Sequence, residues 1–263
     1  MIDDIWNSLR EVRAKAPLVL NITNYVVMNS TANALLAVGA SPIMAHSTEE
    51  VEDLVAVTGA LVVNIGTLSP PWVAAMRLAA RKAAAVGTPW VLDPVGVGAT
   101  AYRNGAAAGL AAFHPAAVRG NASEILALAG ASGAATKGVD STVRTEASIE
   151  AAAKLTDATG SVVAVTGRTD YVIFGDLRRA IHNGHPMMAR VTGLGCTATA
   201  LIGAFLAAVR DPFEACFHAL VVIGIAGEVA AERAAGPGSL QMHLLDALYA
   251  FDRETLARRI RID

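Results

Sequence analysis

Charge is what this chain has least of. Asp, Glu, Lys and Arg make up 17% of its 263 residues and nearly cancel, leaving a formal charge of −2. Such a balance gives no electrostatic pull toward nucleic acid or an anionic membrane, and the basic residues form no dense block beyond Arg258, Arg259 and Arg261. Cysteine is scarcer still, with Cys196 and Cys216 the only two. No Cys/His spacing around them resembles a zinc site, and a reducing cytoplasm suits them better than a disulfide scaffold. A basic, apolar leader is also missing: Asp3 and Asp4 open an amphipathic stretch of the wrong charge for a signal peptide, so none is expected. Repeats, linkers and low-complexity tracts are absent apart from a general alanine bias, and residues 1–263 are expected to form a single domain.

What the chain has in quantity is apolar side chain, 54% of residues, enough for an extensive core and too much for disorder. The longest uncharged run, 191–209, is broken at its start by Thr and Gly. Its helical part from Cys196 spans only ~21 Å at ~1.5 Å per residue, against the ~30 Å of a bilayer core. This run and the apolar stretch at 220–226, flanked by His218 and Glu228, therefore read as helices buried within the protein or against another subunit.

Short apolar, often β-branched runs at 18–21, 42–44, 61–65, 90–92 and 162–166 predict buried parallel strands. Helix signals lie between them. Ser47 with Glu50 predicts a capping box before 51–57, and Ser69-Pro70-Pro71 predicts the start of a long Ala-rich helix. Repeated strand–helix–strand order predicts an α/β fold with helices on both faces of a mainly parallel sheet. Residues 171–174 and 178–182, flanking Gly175-Asp176, predict a hairpin at its edge.

The chemistry concentrates where strands would end. At 190–199, R-V-T-G-L-G-C-T-A-T, a glycine-flanked turn opens into an apolar helix. Gly193 and Gly195 let backbone approach a ligand, the helix N-terminus favours an anion, and Cys196 falls in the first turn; an ordinary Gly turn before a buried Cys would read the same way. Asp93 ends a strand in L-D-P-V-G-V-G-A. Asn121 and Glu124 share one face of a starting helix in R-G-N-A-S-E-I, and Thr166 closes V-A-V-T-G. Each has a bland alternative, in a turn Asp, a helix-dipole Glu and a strand-ending Thr. His46, His182 and His185 are less favoured as bases, because a lone His is more often structural.

Taken in order, these elements resemble the ribokinase-like fold. N-I-T-N-Y-V-V-M-N at 21–29, G-A-S-P-I-M-A-H at 39–46, V-L-D-P-V-G-V-G-A at 91–99, N-G-H-P-M-M-A-R-V-T-G-L-G-C at 183–196 and G-P-G-S-L at 236–240 narrow the resemblance to the hydroxyethylthiazole kinases, over nearly the whole chain.

That resemblance implies phosphorylation of the primary alcohol of 4-methyl-5-(2-hydroxyethyl)thiazole by ATP and Mg2+, in salvage of the thiazole half of thiamine. It implies that Met44 and Gly193 meet the alcohol through backbone amides, with Asn24 and Val26 enclosing the ring. Arg119 and Thr166 match nucleotide-phosphate positions, Asp93 and Glu124 the metal network, and Asn121 supports them. Cys196 stands where most ribokinase-like kinases carry an Asp base. With Gly193 and Gly195 it forms the catalytic turn. The resemblance further implies a homotrimer with its thiazole pocket between subunits. Rival readings on the same fold are a kinase for another alcohol, such as a hydroxymethylpyrimidine, an ATP-dependent dehydratase of a damaged nicotinamide cofactor, and a nucleotide sensor without turnover.

Overall fold

The apolar runs form the strands of one sheet. The computed structural model describes residues 1–130 and 141–263. Its strands are β1 (Leu18–Ile22), β2 (Ser41–Met44), β3 (Ala60–Asn64), β4 (Trp90–Asp93), β5 (Ala117–Asn121), β6 (Val162–Thr166), β7 (Asp170–Phe174) and β8 (Leu177–Ile181). They lie in the order β2-β1-β3-β4-β5-β6-β7-β8. Pairing is parallel from β2 through β6 and antiparallel at β6–β7 and β7–β8, where the expected hairpin forms the edge. This is the expected ribokinase-like α/β architecture.

The helices are α1 (Ile2–Lys15), α2 (Met28–Val38), α3 (Val51–Val57), α4 (Pro70–Val86), α5 (Ala101–Ala111), α6 (Ala122–Gly130), α7 (Ser141–Thr159), α8 (Leu194–Ala208), α9 (Pro212–Arg233), α10 (Pro237–Tyr249) and α11 (Arg253–Arg259). Side chains alternate across a pleated strand, so each strand feeds two cores. Val19, Val62, Val91, Ala117 and Ala164 pack with α1, α2, α8, α9 and α10. Leu20, Leu61, Val63, Leu92, Val118 and Val163 face the other way, against α3, α4, α5, α6 and α7. α9 is long and apolar enough to cross a membrane, but 83% of its most apolar window is buried inside the protein, which makes it a core helix.

Two expectations need correction. β5 was not among the expected strands, because A-V-R-G-N is interrupted by Arg119 and Gly120. It forms because β4 and β6 pair with it on either side. The Ser47–Glu50 capping box is absent. The carbonyl of Ser47 accepts the amides of Glu50 and Val51 and its hydroxyl accepts that of Glu49, so a turn precedes α3 and Glu50 is its N-cap.

Because β1 has β2 on one side and β3 on the other, the strand order reverses there. The crevice at the carboxyl ends of β1 and β3 is the topological switch point, where open α/β sheets bind ligands.

Candidate active site

The carboxyl edge of the sheet collects the polar residues. β1 leads into Asn24, β3 ends on Asn64, β4 on Asp93, β5 carries Arg119 and ends on Asn121, and β6 ends on Thr166. Asp93 is fully buried. Its Oδ2 accepts hydrogen bonds from Asn64 Nδ2 at 2.7 Å and from Thr199 Oγ1 at 2.8 Å. Its Oδ1 is buried with no hydrogen-bond partner, 3.9 Å from Arg119 Nη1. Burial pushes this carboxyl up to about 6, assisted by the charge of Glu124 and opposed by Arg119, Thr199 and Asn64.

The turn before α8 is built for close approach. Gly193 has φ +82, a left-handed conformation that favours glycine, and a Cβ on it would lie 2.5 Å from Val27 Cγ1. A Cβ on Gly195 would lie 2.5 Å from Arg119 Nη1, so the guanidinium rests against bare backbone of the first turn. Arg119 Nη2 also donates to Thr166 Oγ1. No side chain caps α8, which leaves its first amides for a ligand at the positive end of the helix dipole. Guanidinium, hydroxyl and glycine backbone thus gather beside a buried carboxylate.

Asn121 and Glu124 form the capping box of α6. Asn121 Oδ1 accepts the Glu124 amide at 3.0 Å, and Glu124 Oε2 accepts the Asn121 amide at 2.8 Å. Glu124 Oε1 reaches further, accepting the Gly96 amide at 2.9 Å, and so ties the loop after β4 to α6. Among the described residues no three His, Cys, Asp or Glu side chains gather into a metal cage. Mg2+ needs none, since one or two carboxylates, phosphate oxygens and water usually complete its shell. The unpartnered Oδ1 of Asp93 and the remaining lone pairs of Glu124 fit that donor set.

On the other flank, Asn24 Nδ2 lies 3.7 Å from Cys196 Sγ, and Asn24 Oδ1 accepts the Val26 amide at 3.1 Å. Burial, with the charge of Asp93, pushes the Cys196 thiol up to about 11, so it is protonated near neutrality. Met44 ends β2 and is half-buried, whereas Val26 is 66% exposed. Trp72, at the start of α4, contacts the rings of Tyr25 and His46 at centroid distances of 4.9 and 4.5 Å. The other two histidines weighed as bases have structural partners: His182 pairs with Asp263, and His185 accepts the Met187 amide. A cavity of about 310 Å³, lined by Asn29, Ser30, Leu194, Thr197 and Met242, lies on the opposite face of α8's first turn from Cys196 and Thr199.

The model of the hydroxyethylthiazole kinase family matches residues 9–254. A hydroxyethylthiazole kinase of Syntrophus aciditrophicus is 56% identical over 262 residues, covering 99% of this chain and 97% of the relative. One from Granulibacter bethesdensis is 58% identical over 245 residues, 93% of this chain and 89% of the relative. This chain belongs to the hydroxyethylthiazole kinase family. A solved hydroxyethylthiazole kinase structure from Pyrococcus horikoshii OT3 is 42% identical with a TM-score of 0.92, covering 98% of each chain. Pyridoxal kinase from Staphylococcus aureus in complex with AMP-PCP and pyridoxal is 15% identical, with a TM-score of 0.61 over 80% of this chain and 87% of that one, and shares the fold alone.

As a member of the hydroxyethylthiazole kinase family the chain is an enzyme, a phosphotransferase. The structure adds to this cluster residues that the sequence did not mark. Thr199 closes the 190–199 motif and was given no role there, although i, i+4 spacing from Gly195 aims it at the same face. Asn64 was hidden inside a strand run. Arg103 Nη1 donates to the Ile65 and Val95 carbonyls at 2.6 and 2.8 Å and its Nη2 to Gly66 at 2.8 Å, clamping the loops after β3 and β4; nothing in its local sequence marks it.

Proposed function

We propose that this family member transfers the γ-phosphoryl group of ATP to the primary hydroxyl of 4-methyl-5-(2-hydroxyethyl)thiazole, in a Mg2+-dependent reaction of thiamine salvage in the cytoplasm, with residues 1–263 acting as one kinase domain. The observation that carries this reading is the Arg119 guanidinium lying on the glycine backbone of α8's first turn, bonded to Thr166 and next to Asp93.

In the proposed reaction the alcohol oxygen forms a bond to the γ-phosphorus as the bond to the β-phosphate bridging oxygen breaks, ADP departs, and the hydroxyl proton passes to a phosphate oxygen or water. Such transfer asks for alignment and charge neutralisation more than for covalent work by the protein. Arg119, Thr166 and the amides of Leu194, Gly195 and Cys196 hold the phosphate oxygens. Asp93 and Glu124, the latter fixed by Asn121, would hold Mg2+ and its waters, and the bound ion would supply positive charge to the transferring phosphate. The Met44 and Gly193 backbone and the Asn24 side chain orient the hydroxyl. Cys196, protonated, sits against the alcohol as a positioning group.

The ring side is open in a single chain, with Tyr25 and Val26 each 66% exposed. Enclosing an apolar ring there needs another surface, which supports a homotrimer with its active sites between subunits. Incubating the purified protein with ATP, Mg2+ and a panel of alcohols, then identifying products by mass, tests the reading. The thiazole alcohol is expected to gain one phosphoryl group. Preferential turnover of another alcohol, a dehydrated cofactor, or bound nucleotide without turnover would replace it with one of the rivals.

A further inference from the structure

One buried side chain touches both halves of this site. Asn64, 1% exposed at the end of β3, donates through Nδ2 to Asp93 Oδ2 at 2.7 Å. Its Oδ1 accepts from Asn24 Nδ2 at 2.8 Å and from the Gly66 amide at 2.9 Å. We propose that Asn64 is the positioning residue of phosphoryl transfer, tying the acceptor-side Asn24 to the metal-side carboxylate of Asp93. The proposal rests on the kinase reading above and assigns a role to a residue outside the motifs that carry it.

The polarity of this chain of bonds is set by chemistry. A backbone amide can only donate, so Gly66 requires an oxygen at Asn64 Oδ1. An ionised carboxylate can only accept, so Asp93 requires the NH2 on the other side. Asn24 must then turn its own NH2 toward Asn64 and its oxygen toward the Val26 amide, which is the arrangement observed. The same NH2 of Asn24 faces Cys196 Sγ. At the other end, Asn64 and Thr199 together occupy Oδ2 of Asp93 and leave Oδ1 as the unpartnered oxygen. One amide thus decides which oxygen Asp93 presents to the metal side and which face Asn24 presents to the acceptor. Asn24 follows β1 and Asn64 ends β3, the two strands that border the switch-point crevice, so a local shift at position 64 moves the two reactants' supports relative to each other.

The test combines variants with different losses. Asn64→Asp keeps the volume and the acceptor for Asn24 and Gly66 but sets a carboxylate oxygen against Asp93. Asn64→Leu removes both ends. Thermal melts and circular dichroism establish folding, and kcat and KM are measured for the alcohol and for Mg-ATP. Misplacement by about 1 Å lowers rates about 100-fold. Asn64→Asp is therefore expected to lower kcat by about that factor, with the alcohol KM within about threefold of wild type, whereas Asn64→Leu also raises the alcohol KM about tenfold or more. A general loss of structure would move these parameters together.

Independently, Asn24→Ala, Thr199→Val and the double variant are compared in the wild-type background. Their effects on kcat are expected to depart from simple multiplication by about fivefold or more, because the bonds from Asn24 to Asn64, Asn64 to Asp93 and Asp93 to Thr199 link the two positions. This measurement stands even if Asn64→Leu does not fold. Wild-type kcat in Asn64→Asp, or purely multiplicative effects in the second set, would overturn the proposal. Turnover of the thiazole alcohol by the wild-type enzyme tests the kinase reading separately. If another alcohol in the panel is the acceptor, that reading falls and the same ratios, measured with that alcohol, still decide the role of Asn64.

Discussion

Asp93 is a carboxylate with no solvent around it and only one oxygen hydrogen-bonded, so its charged form strains the fold that holds it. Burial raises its pKa to about 6, above the unfolded value of 3.8. Between those values the folded state binds the proton more tightly, so this group adds stability as pH falls from about 6 to about 4 and withdraws it as pH rises. Asp93→Asn is expected to melt no lower than wild type at pH 7.5, to lose that relative advantage near pH 4.5, and to lower turnover by about 100-fold or more. Denaturant titrations at both pH values and steady-state kinetics check this. Wild-type turnover in the folded variant would remove Asp93 from the site. Glu124→Gln differs, because its carboxylate oxygens accept two backbone amides. It is expected to cost about 1–2 kcal/mol of stability as well as most of the activity.

Cys196 belongs to the same scale. A thiol raised to about 11 leaves no thiolate to act as a base at neutral pH. Cys196→Ala is expected to keep measurable kcat, lowered about tenfold or less, with no loss of a thiol-dependent limb in the pH–rate profile between 7 and 9. Cys196→Asp, placing an ionisable carboxylate beside the Asn24 amide, is expected to keep or raise kcat. A folded but inactive Cys196→Ala that Cys196→Asp does not restore would show an indispensable chemical role for the thiol.

At the scale of elements, the packing of α1 on α9 contains a titratable joint. His218 on α9 is 3% exposed and its Nδ1 lies 2.8 Å from Ser8 Oγ on α1. Its Nε2 lies 3.2 Å from Glu214 Oε2, out of line for a hydrogen bond, and Glu214 is engaged by Arg179. Burial, aided by Arg179 and opposed by Glu214, lowers the imidazole to about 4. The unfolded chain takes up that proton near pH 6.5 and the folded chain resists it until about 4, so stability is lost as pH falls across this window. His218→Leu is expected to be less stable than wild type at pH 7 by about 1–2 kcal/mol, from the orphaned Ser8 hydroxyl. The gap should close or reverse by pH 4.5, a shift on the order of 2 kcal/mol, because only wild type carries a histidine that folding must keep neutral. Urea unfolding at the two pH values measures it, and a constant gap would show that His218 does not titrate against folding.

For the whole molecule, large apolar side chains at the surface include Tyr25, Val26, Leu36 and Met242. If the ring pocket is completed by another subunit, dilution below the dissociation range is expected to abolish turnover as the oligomer separates. Sedimentation across concentration, run beside activity assays, tests this. A fully active monomer would sink the shared pocket.

Five of the six parallel strands were legible within about a residue at each end because strands buried on both faces are nearly pure apolar runs between polar stops. The helix start after Ser69 and the edge hairpin were legible for similar local reasons. The glycine turn, Asp93, N-x-x-E and Thr166 could each be marked as strand-end or helix-start residues, and the structure does bring Arg119, Thr166, Asp93, Gly195 and Cys196 together. Local pattern could not supply β5, whose Arg119 and Gly120 look wrong for a buried strand until β4 and β6 pair with them. Nor could it show that Asn121 and Glu124 form a capping box whose Glu also reaches Gly96, or that Ser47 and Glu50 form none. The sequence by itself determined the apolar periodicity, the breaks in it and the chemical identity of the residues at those breaks, since these depend on neighbours along the chain. Only the tertiary structure decided that Asn64 joins Asn24 to Asp93, that Arg103 clamps two loops and that burial keeps Cys196 protonated. Those facts depend on distance and dielectric between residues far apart in sequence, which emerge only when the strands lie side by side.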